Sequence, residues 1–336
     1  MKRLLLITIT LVALNLTALS QAFQNAGATG DQFLKIGVGA KAMGMGGAFG
    51  SLAGDASSLA WNPAGIGTIQ TIQLSVDHTP WVAGINHDFV GLVVPIADNV
   101  NLGFHTIFAS SGPIEITTID QPEGTGSNYD VADVAVGLTS SVRLTTQLTF
   151  AVTVKYVQER IYDVQSGGVA SDFGAWYATN FRSLTVGFSV MNLGFDEAFT
   201  GHSLEVQYSP PGTSESPINS ELQAEPYSLP LMFRASGSFD FFEMFASPLP
   251  EHKLTAAVDF LQNADTPERL MIGAEYTWRD MLSLRSGYAI NSDELSWNVG
   301  GGATIDASGF VLEVDYAVSS LGRFGLGQRF GITMSY

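Results

Sequence analysis

The sequence predicts an all-β fold: a transmembrane antiparallel β-barrel of about 14 strands with an N-terminal hatch segment in its lumen. Three observations carry this expectation. From Ile69 onward, apolar residues recur at every second position in runs separated by turn chemistry. Only 14% of the 336 residues are charged, whereas 36 are Gly and 21 are Phe, which is sparse charge for a water-facing surface and ordinary for a lipid-facing wall with aromatic girdles. The chain closes on an alternating strand, Phe330, Ile332, Met334 and the terminal Tyr336, with Gly331, Thr333 and Ser335 between them.

The first element is an export signal. Lys2 and Arg3 precede an apolar run from Leu4 to Leu19, and the small residues Ser20 and Ala22 follow it. This predicts a signal peptide over residues 1–22, cut after Ala22. A membrane anchor fits less well, because the run falls short of the ~20 residues of a spanning helix and includes Thr8, Thr10 and Asn15. Residues 23–68 then form the hatch or plug, and residues 69–336 the outer-membrane barrel. Cysteine is absent, so disulfides and thiolate metal sites are excluded. With 15 Lys plus Arg against 32 Asp plus Glu, the net charge of -17 argues against nucleic acid as a partner and against docking on an anionic lipid surface.

Fourteen strand-like runs follow, starting near Thr71, Asp88, Val100, Tyr129, Gln147, Val169, Ser183, Ser228, Lys253, Arg269, Met281, Leu295, Gly309 and Gln328. Most last about 9 to 12 residues, enough for a tilted strand to cross the hydrocarbon layer. In "LTFAVTVKY", Leu148, Phe150, Val152, Val154 and Tyr156 share one face while Thr149, Ala151, Thr153 and Lys155 share the other. Long connections are expected after odd-numbered strands, at residues 110–128, 158–168 and 193–227, and tight turns after even-numbered ones, as at 97–99 and 279–280. Long loops outside and short periplasmic turns are the outer-membrane pattern. The long, apolar "FFEMFASPLPEH" after the eighth strand departs from it. The closing strand with its terminal aromatic resembles the signal read by the barrel-assembly machinery.

With the apolar faces in lipid, charged residues must point inward, since Arg or Lys on the lipid face costs roughly 2 to 4 kcal/mol at mid-bilayer. Hairpin arithmetic then predicts four cross-strand lumenal pairs: Glu275 with Arg285, Arg234 with Asp259, Asp133 with Lys155, and Asp315 with Arg329. Their expected role is to fill the interior and tie strands together.

Between signal and first strand lies "GVGAKAMGMGGAFGSLAGDASSLAWNPAGI", Gly37 to Ile66. The G-x-G-x-x-A within it, with Asp55 as a ribose acid, lacks the strand-then-helix setting of a dinucleotide site, and no phosphate-loop motif occurs. The run resembles the N-terminal signature of the PorV/PorQ family, outer-membrane proteins related to FadL fatty-acid transporters. The resemblance rests on Gly37, Gly39, Lys41, Gly44, Met45, Gly46, Gly47, Asp55 and on Trp61, Asn62, Pro63 and Gly65 of the W-N-P-A-G turn. Lys41 stands where that family commonly has Arg, and Asp55 is alone where a pair of acids is frequent. The resemblance implies a lumenal hatch docked on the wall by the Asn-Pro-Ala-Gly turn. It also implies a part in type IX protein secretion or cargo attachment, with secretion subunits and cargo C-terminal domains as partners beside outer-membrane lipid. The alternative is a FadL-like transporter of long-chain fatty acids or other hydrophobic small molecules, which requires an apolar pocket near Met43, Met45, Phe49 and Trp61.

No catalytic constellation, cofactor motif or metal set stands out. His78, His87, His105, His202 and His252 are scattered, and only His78 and His87 face each other across a hairpin. The acids of "SDEL" at Ser292 to Leu295 and "YDV" at Tyr162 to Val164 read as loop acids, and no nucleophile–base pair is evident. The expectation is a protein that is not an enzyme.

Overall fold

The computed structural model describes residues 27–209, 218–245, 249–292, 295–307 and 309–336. The expected signal peptide, residues 1–22, lies outside the described residues, as do most of the Pro-rich part of the long loop and parts of "FFEMFASPLPEH" and "SDEL". Fourteen antiparallel strands form the wall: β1 Gln73–Pro80, β2 Asn86–Ala97, β3 Val100–Ser110, β4 Val131–Arg143, β5 Leu148–Ile161, β6 Val164–Ala178 and β7 Thr185–Gly194. They continue as β8 Met232–Asp240, β9 His252–Asn263, β10 Arg269–Trp278, β11 Leu282–Ile290, β12 Leu295–Ala307, β13 Phe310–Leu321 and β14 Leu326–Ser335. Each strand pairs with its neighbours in sequence, and β14 returns to β1 with Val76 opposite Ile332, so the barrel is closed and has no free edge.

The two-residue period sorts the side chains. In β5, Phe150, Val152, Val154 and Tyr156 point outward and are 45–54% exposed, whereas Thr149, Ala151, Thr153 and Lys155 point inward and are at most 4% exposed. The same sorting leaves Phe330, Ile332 and Met334 on the outer face of β14, and Tyr336 exchanges backbone hydrogen bonds with Ile72. An apolar outer belt of this kind is stable only against lipid or another apolar partner.

One connection differs from the sequence expectation. Residues 158–168 form no long loop: β5 and β6 run on to a two-residue turn at Tyr162 and Asp163, and the Gln158 amide donates to Gln165 at 2.9 Å. Beyond the belt both faces are wet, so the apolar alternation that marks a strand ceases while the backbone ladder continues. The apolar connection after β8 begins with a short helix, α2 Phe241–Phe245. Its Phe245 ring meets the outward Phe239 at 5.7 Å and Phe241 at 5.3 Å, so its apolar residues extend the outer belt.

The segment ahead of β1 lies across the lumen. It comprises a 3-10 turn Gln32–Lys35, helix α1 Ala40–Gly44, and 3-10 turns Ala56–Ala60 and Pro63–Thr68. Helix α1 touches β11 to β14, whereas Pro63–Thr68 touches β3 to β6, on the opposite arc. Small residues make that close fit possible. Gly46 has φ 69, and a Cβ there would stand 2.8 Å from the backbone nitrogen of Tyr288 in β11.

Candidate functional site between the N-terminal segment and the wall

The short helices of the segment are fixed by their caps. Asp55 accepts the Ser57 backbone N–H at 2.8 Å and its hydroxyl at 2.6 Å. Asn62 accepts the Ala64 N–H at 3.2 Å ahead of Pro63, the favoured first residue of a helix, and Gly65 closes that turn with its N–H on the Asn62 carbonyl. The Asn62 amide group also donates to the carbonyls of Gly50, at 2.7 Å, and of Ala175 in β6, at 3.0 Å. Trp61 donates from its indole to the Val38 carbonyl at 3.0 Å, and its own carbonyl accepts the Ser189 hydroxyl of β7 at 3.0 Å. Both residues of the turn are thereby tied to segment and wall at once.

Charges complete the docking. Lys41 pairs with Asp55 at 3.2 Å and with Glu313 of β13 at 2.9 Å. Burial works against the Lys41 ammonium, but Asp55 and Glu313 outweigh it and hold its pKa well above the usual lysine range. Burial likewise opposes the Asp55 carboxylate, and Lys41 with Ser57 overcomes it, so its pKa is lowered. Arg234 of β8 pairs with Asp259 of β9 at 2.9 Å, donates to the Gly47 carbonyl at 3.1 Å, and lies over the Trp61 ring at 4.8 Å. Asp259 in turn accepts the N–H groups of Phe49 and Gly50.

Of the four expected lumenal pairs, the structure brings two together. Glu275 and Arg285 are directly opposite and bonded, and Arg285 also reaches Asp315 and, at 3.2 Å, Glu313. Arg234 stands opposite Leu261 and meets Asp259 on the diagonal. The other two are corrected. Asp133 faces Glu159, because the β4–β5 register lies four residues from the expected one, and Lys155 pairs with Asp172 at 2.8 Å. Arg329 stands opposite Ala317, with Asp315 and Ser319 as its two diagonal neighbours; Asp315 is held by Arg285, and Arg329 donates to Ser319 at 2.7 Å. His78 and His87 do not meet: His78 bonds Asp88, and His87 is buried inside the wall. Among the described residues no three His, Asp or Glu are arranged to hold a metal ion.

A cleft opens between segment and wall on the side of the long loops. Val38, Met43 and Trp61 line it from the segment, and Met232, Leu261 and Met271 from the wall, with Lys35, Arg234, Arg269, Asn263, Ser292 and Asn298 as polar groups. It encloses about 70 Å³ by the measure used for buried cavities, and about 730 Å³ when all empty space out to its mouth is counted. Met45 and Phe49, expected at the same place, do not line it, although Met45 packs in one buried cluster with Met232, Leu261 and Met271. Met45 is fully buried against the wall glycines Gly273 and Gly287, while Phe49 faces a second, polar cavity at the short-turn end with Lys41 and Asp55. Trp61 and Phe49 meet edge to face at 6.2 Å, so this ring pair separates the two cavities. The wall residues Met232, Leu261 and Met271 escaped sequence reading. Their signal is an apolar side chain on the face of a strand where polar or small residues are the rule.

A four-carboxylate cluster sits where the segment begins. Asp31 is pushed up to about 7 by burial and then by Glu197, Glu159 and Asp133, and Glu197 is pushed up to about 7 by burial and by Glu159.

No curated protein matches the chain. Solved structures do. The CymD monoaromatic hydrocarbon channel is similar over 94% of this chain and 98% of its own, with 13% identity and a TM-score of 0.58. The Pseudomonas putida toluene transporter TodX covers 89% of this chain and 97% of its own, with 13% identity and a TM-score of 0.56. A Pseudomonas aeruginosa FadL homologue covers 89% and 98%, with 14% identity and a TM-score of 0.51. At such identities the likeness concerns the fold: a closed barrel of the FadL type. The description Uncharacterised protein family (UPF0164) matches residues 10–209, more than half of the sequence, and the chain therefore belongs to that family.

Proposed function

We propose that the protein is a bacterial outer-membrane barrel that passes a small hydrophobic molecule, held on its way in the cleft between the N-terminal hatch and the wall. The cleft is the observation that carries this reading. Its floor is Trp61 and its sides are Met43, Met232 and Met271, an apolar surface bordered by Lys35, Arg234, Arg269, Asn263 and Asn298. At about 70 Å³ it is smaller than the ~150 Å³ that admits a benzene ring, so loading requires side chains to move. Methionine, unbranched and rotatable, is suited to that movement. The ring pair Trp61 and Phe49 is then the partition a passenger must get past to reach the polar cavity beyond. The apolar outer belt supports placement in a membrane, and the FadL-type fold of the similar channels supports the outer membrane and the apolar passenger.

The type IX secretion reading implied by the PorV/PorQ resemblance would use the connection of residues 195–231, which carries a short ribbon pairing Glu205–Tyr208 with Ile218–Glu221. The comparisons favour the small-molecule reading over it. The two separate by experiment. Solvent extraction of purified protein should yield a hydrophobic compound in stoichiometric amount from the wild type and none from Met271→Lys, which puts a charge in the cleft. Extracts empty in both, with loss of cargo from the cell surface when residues 205–221 are deleted, would instead support secretion.

A further inference from the structure

Among the described residues, the buried inward-facing cations of the wall are paired, with one exception. Lys155 has Asp172, Arg234 has Asp259, and Arg285 has Glu275 and Asp315. Arg329 of β14 is fully buried, yet its one hydrogen bond is neutral, from Nη1 to the Ser319 hydroxyl at 2.7 Å, and Nε and Nη2 have no partner among the described residues. A buried guanidinium without a counter-charge is among the most unfavourable placements a side chain can have. The Trp81 ring, 5.5 Å from Cζ, offsets only a part of that.

A second orphan stands beside it. Asn298 of β12 is directly opposite Ser319, is 1% exposed, and has neither its amide nitrogen nor its amide oxygen bonded. Ser319 is directly opposite Asn298 and is the diagonal neighbour that Arg329 bonds, so Arg329, Ser319 and Asn298 follow one another across β14, β13 and β12. Asn298 is also part of the cleft lining, which brings the cleft to the edge of this row.

We propose that Arg329, Ser319 and Asn298 form an oxyanion site at the long-loop end of the lumen, and that the group it takes is a carboxylate. The choice of class follows from which donors are free. Nε and Nη2 share one edge of the planar guanidinium, and two parallel N–H groups on one edge match the two oxygens of a carboxylate. The Asn298 amide on β12, on the far side of Ser319, supplies a third donor. The carboxylate has two available sources: a free small anion in the lumen, or the head of a molecule whose apolar part lies in the cleft. The site itself stands without the transport reading; only the second source rests on it.

Calorimetric titration of the purified wild-type barrel with benzoate, benzyl alcohol and acetate distinguishes these. Benzoate and benzyl alcohol share the ring and differ in the charge. If the head of a cleft ligand is bound, benzoate should bind at least about tenfold tighter than benzyl alcohol and tighter than acetate. If a free anion is bound, acetate and benzoate should bind alike. In either case Arg329→Met should abolish the preference for carboxylate, Arg329→Lys should restore little of it because the fork is lost, and Asn298→Ala should weaken it. Should the wild type bind neither carboxylate, or bind benzoate no better than benzyl alcohol, the proposal is overturned, whatever the folding of the variants. Unchanged carboxylate affinity in a folded Arg329→Met would overturn it as well. Benzyl alcohol binding in the cleft without any carboxylate preference would sink the site while leaving the transport reading intact.

Discussion

Asn62 holds Ala175: the amide of the N-terminal segment donates to the β6 backbone carbonyl at 3.0 Å while its oxygen caps the following turn. One side chain thus fixes both the shape of the segment and its seat on the wall. Asn62→Ala should therefore cost more than a cap alone, about 1 kcal/mol, because the carbonyls of Gly50 and Ala175 lose a buried donor as well. The expected outcome is a lowered melting temperature and faster proteolysis within residues 27–68, with the barrel itself intact by its heat-dependent migration on gels. Asn62→Asp keeps the cap acceptor but turns a buried carboxylate oxygen toward the Gly50 and Ala175 carbonyls, so it should be the more destabilised of the two.

The Arg234–Asp259 pair is buried on both sides, and Asp259 also receives the N–H groups of Phe49 and Gly50. Removing one partner leaves a charge in a dry interior, at about 3 to 5 kcal/mol. Arg234→Met and Asp259→Leu should each destabilise by that order. The double variant should be less destabilised than the sum of the two, and a strictly additive result in denaturant titrations would show that the pair is not coupled.

The barrel was legible because a closed wall sorts alternate side chains to opposite faces, so that Phe150, Val152 and Val154 stand on an apolar outer face while Thr149, Ala151 and Thr153 are buried inside. Register was harder to read. Composition does not mark where a hairpin turns, and the β4–β5 and β8–β9 ladders lie four and two residues from the expected register, with Asp133 opposite Glu159 and Arg234 opposite Leu261. A long Arg tolerates such a shift, so Arg234 still found Asp259, whereas Asp133 was carried to Glu159. The segment side of the cleft was half legible. Its Met and Trp content announced an apolar site, but whether Met43 or Met45 faces it depends on the turn of α1 against the wall, where Gly46 sits on the β11 backbone.

That close approach yields a third expectation. Gly46→Ala puts a methyl group 2.8 Å from the Tyr288 nitrogen at φ 69, and backbone has little room to yield. Strain and displacement together should destabilise by roughly 2 to 4 kcal/mol. Gly309→Ala, at φ 115 but with open space around it, should cost only its backbone strain. Equal melting temperatures for the two variants would refute the close fit.

The carboxylates around Asp31 predict a pH response of the hatch. Asp31 and Glu197, both pushed up to about 7, bind protons more readily in the folded chain than in the unfolded one. Their contribution is therefore fully present below the ordinary carboxylate range near 4 and is lost as pH rises toward 7. The groups facing Asp31 are Glu197 from the long connection, Glu159 from β5 and Asp133 from β4, all acidic, so deprotonation adds repulsion on every side. Asp55 and Asp265 act in the opposite sense. Burial raises Asp265, but Lys35, Thr29 and Gln32 outweigh it, so both groups have lowered pKa values and lose their contribution only as pH falls through the acid range. The attachment of residues 27–36 should accordingly be firmest at about pH 5 and loosen by pH 8. Hydrogen exchange in that stretch, corrected for intrinsic rates, should show protection falling over this interval in the wild type and a flatter profile in Asp31→Asn. Protection that stays constant from pH 5 to 8 would mean that the cluster does not govern how the hatch is held.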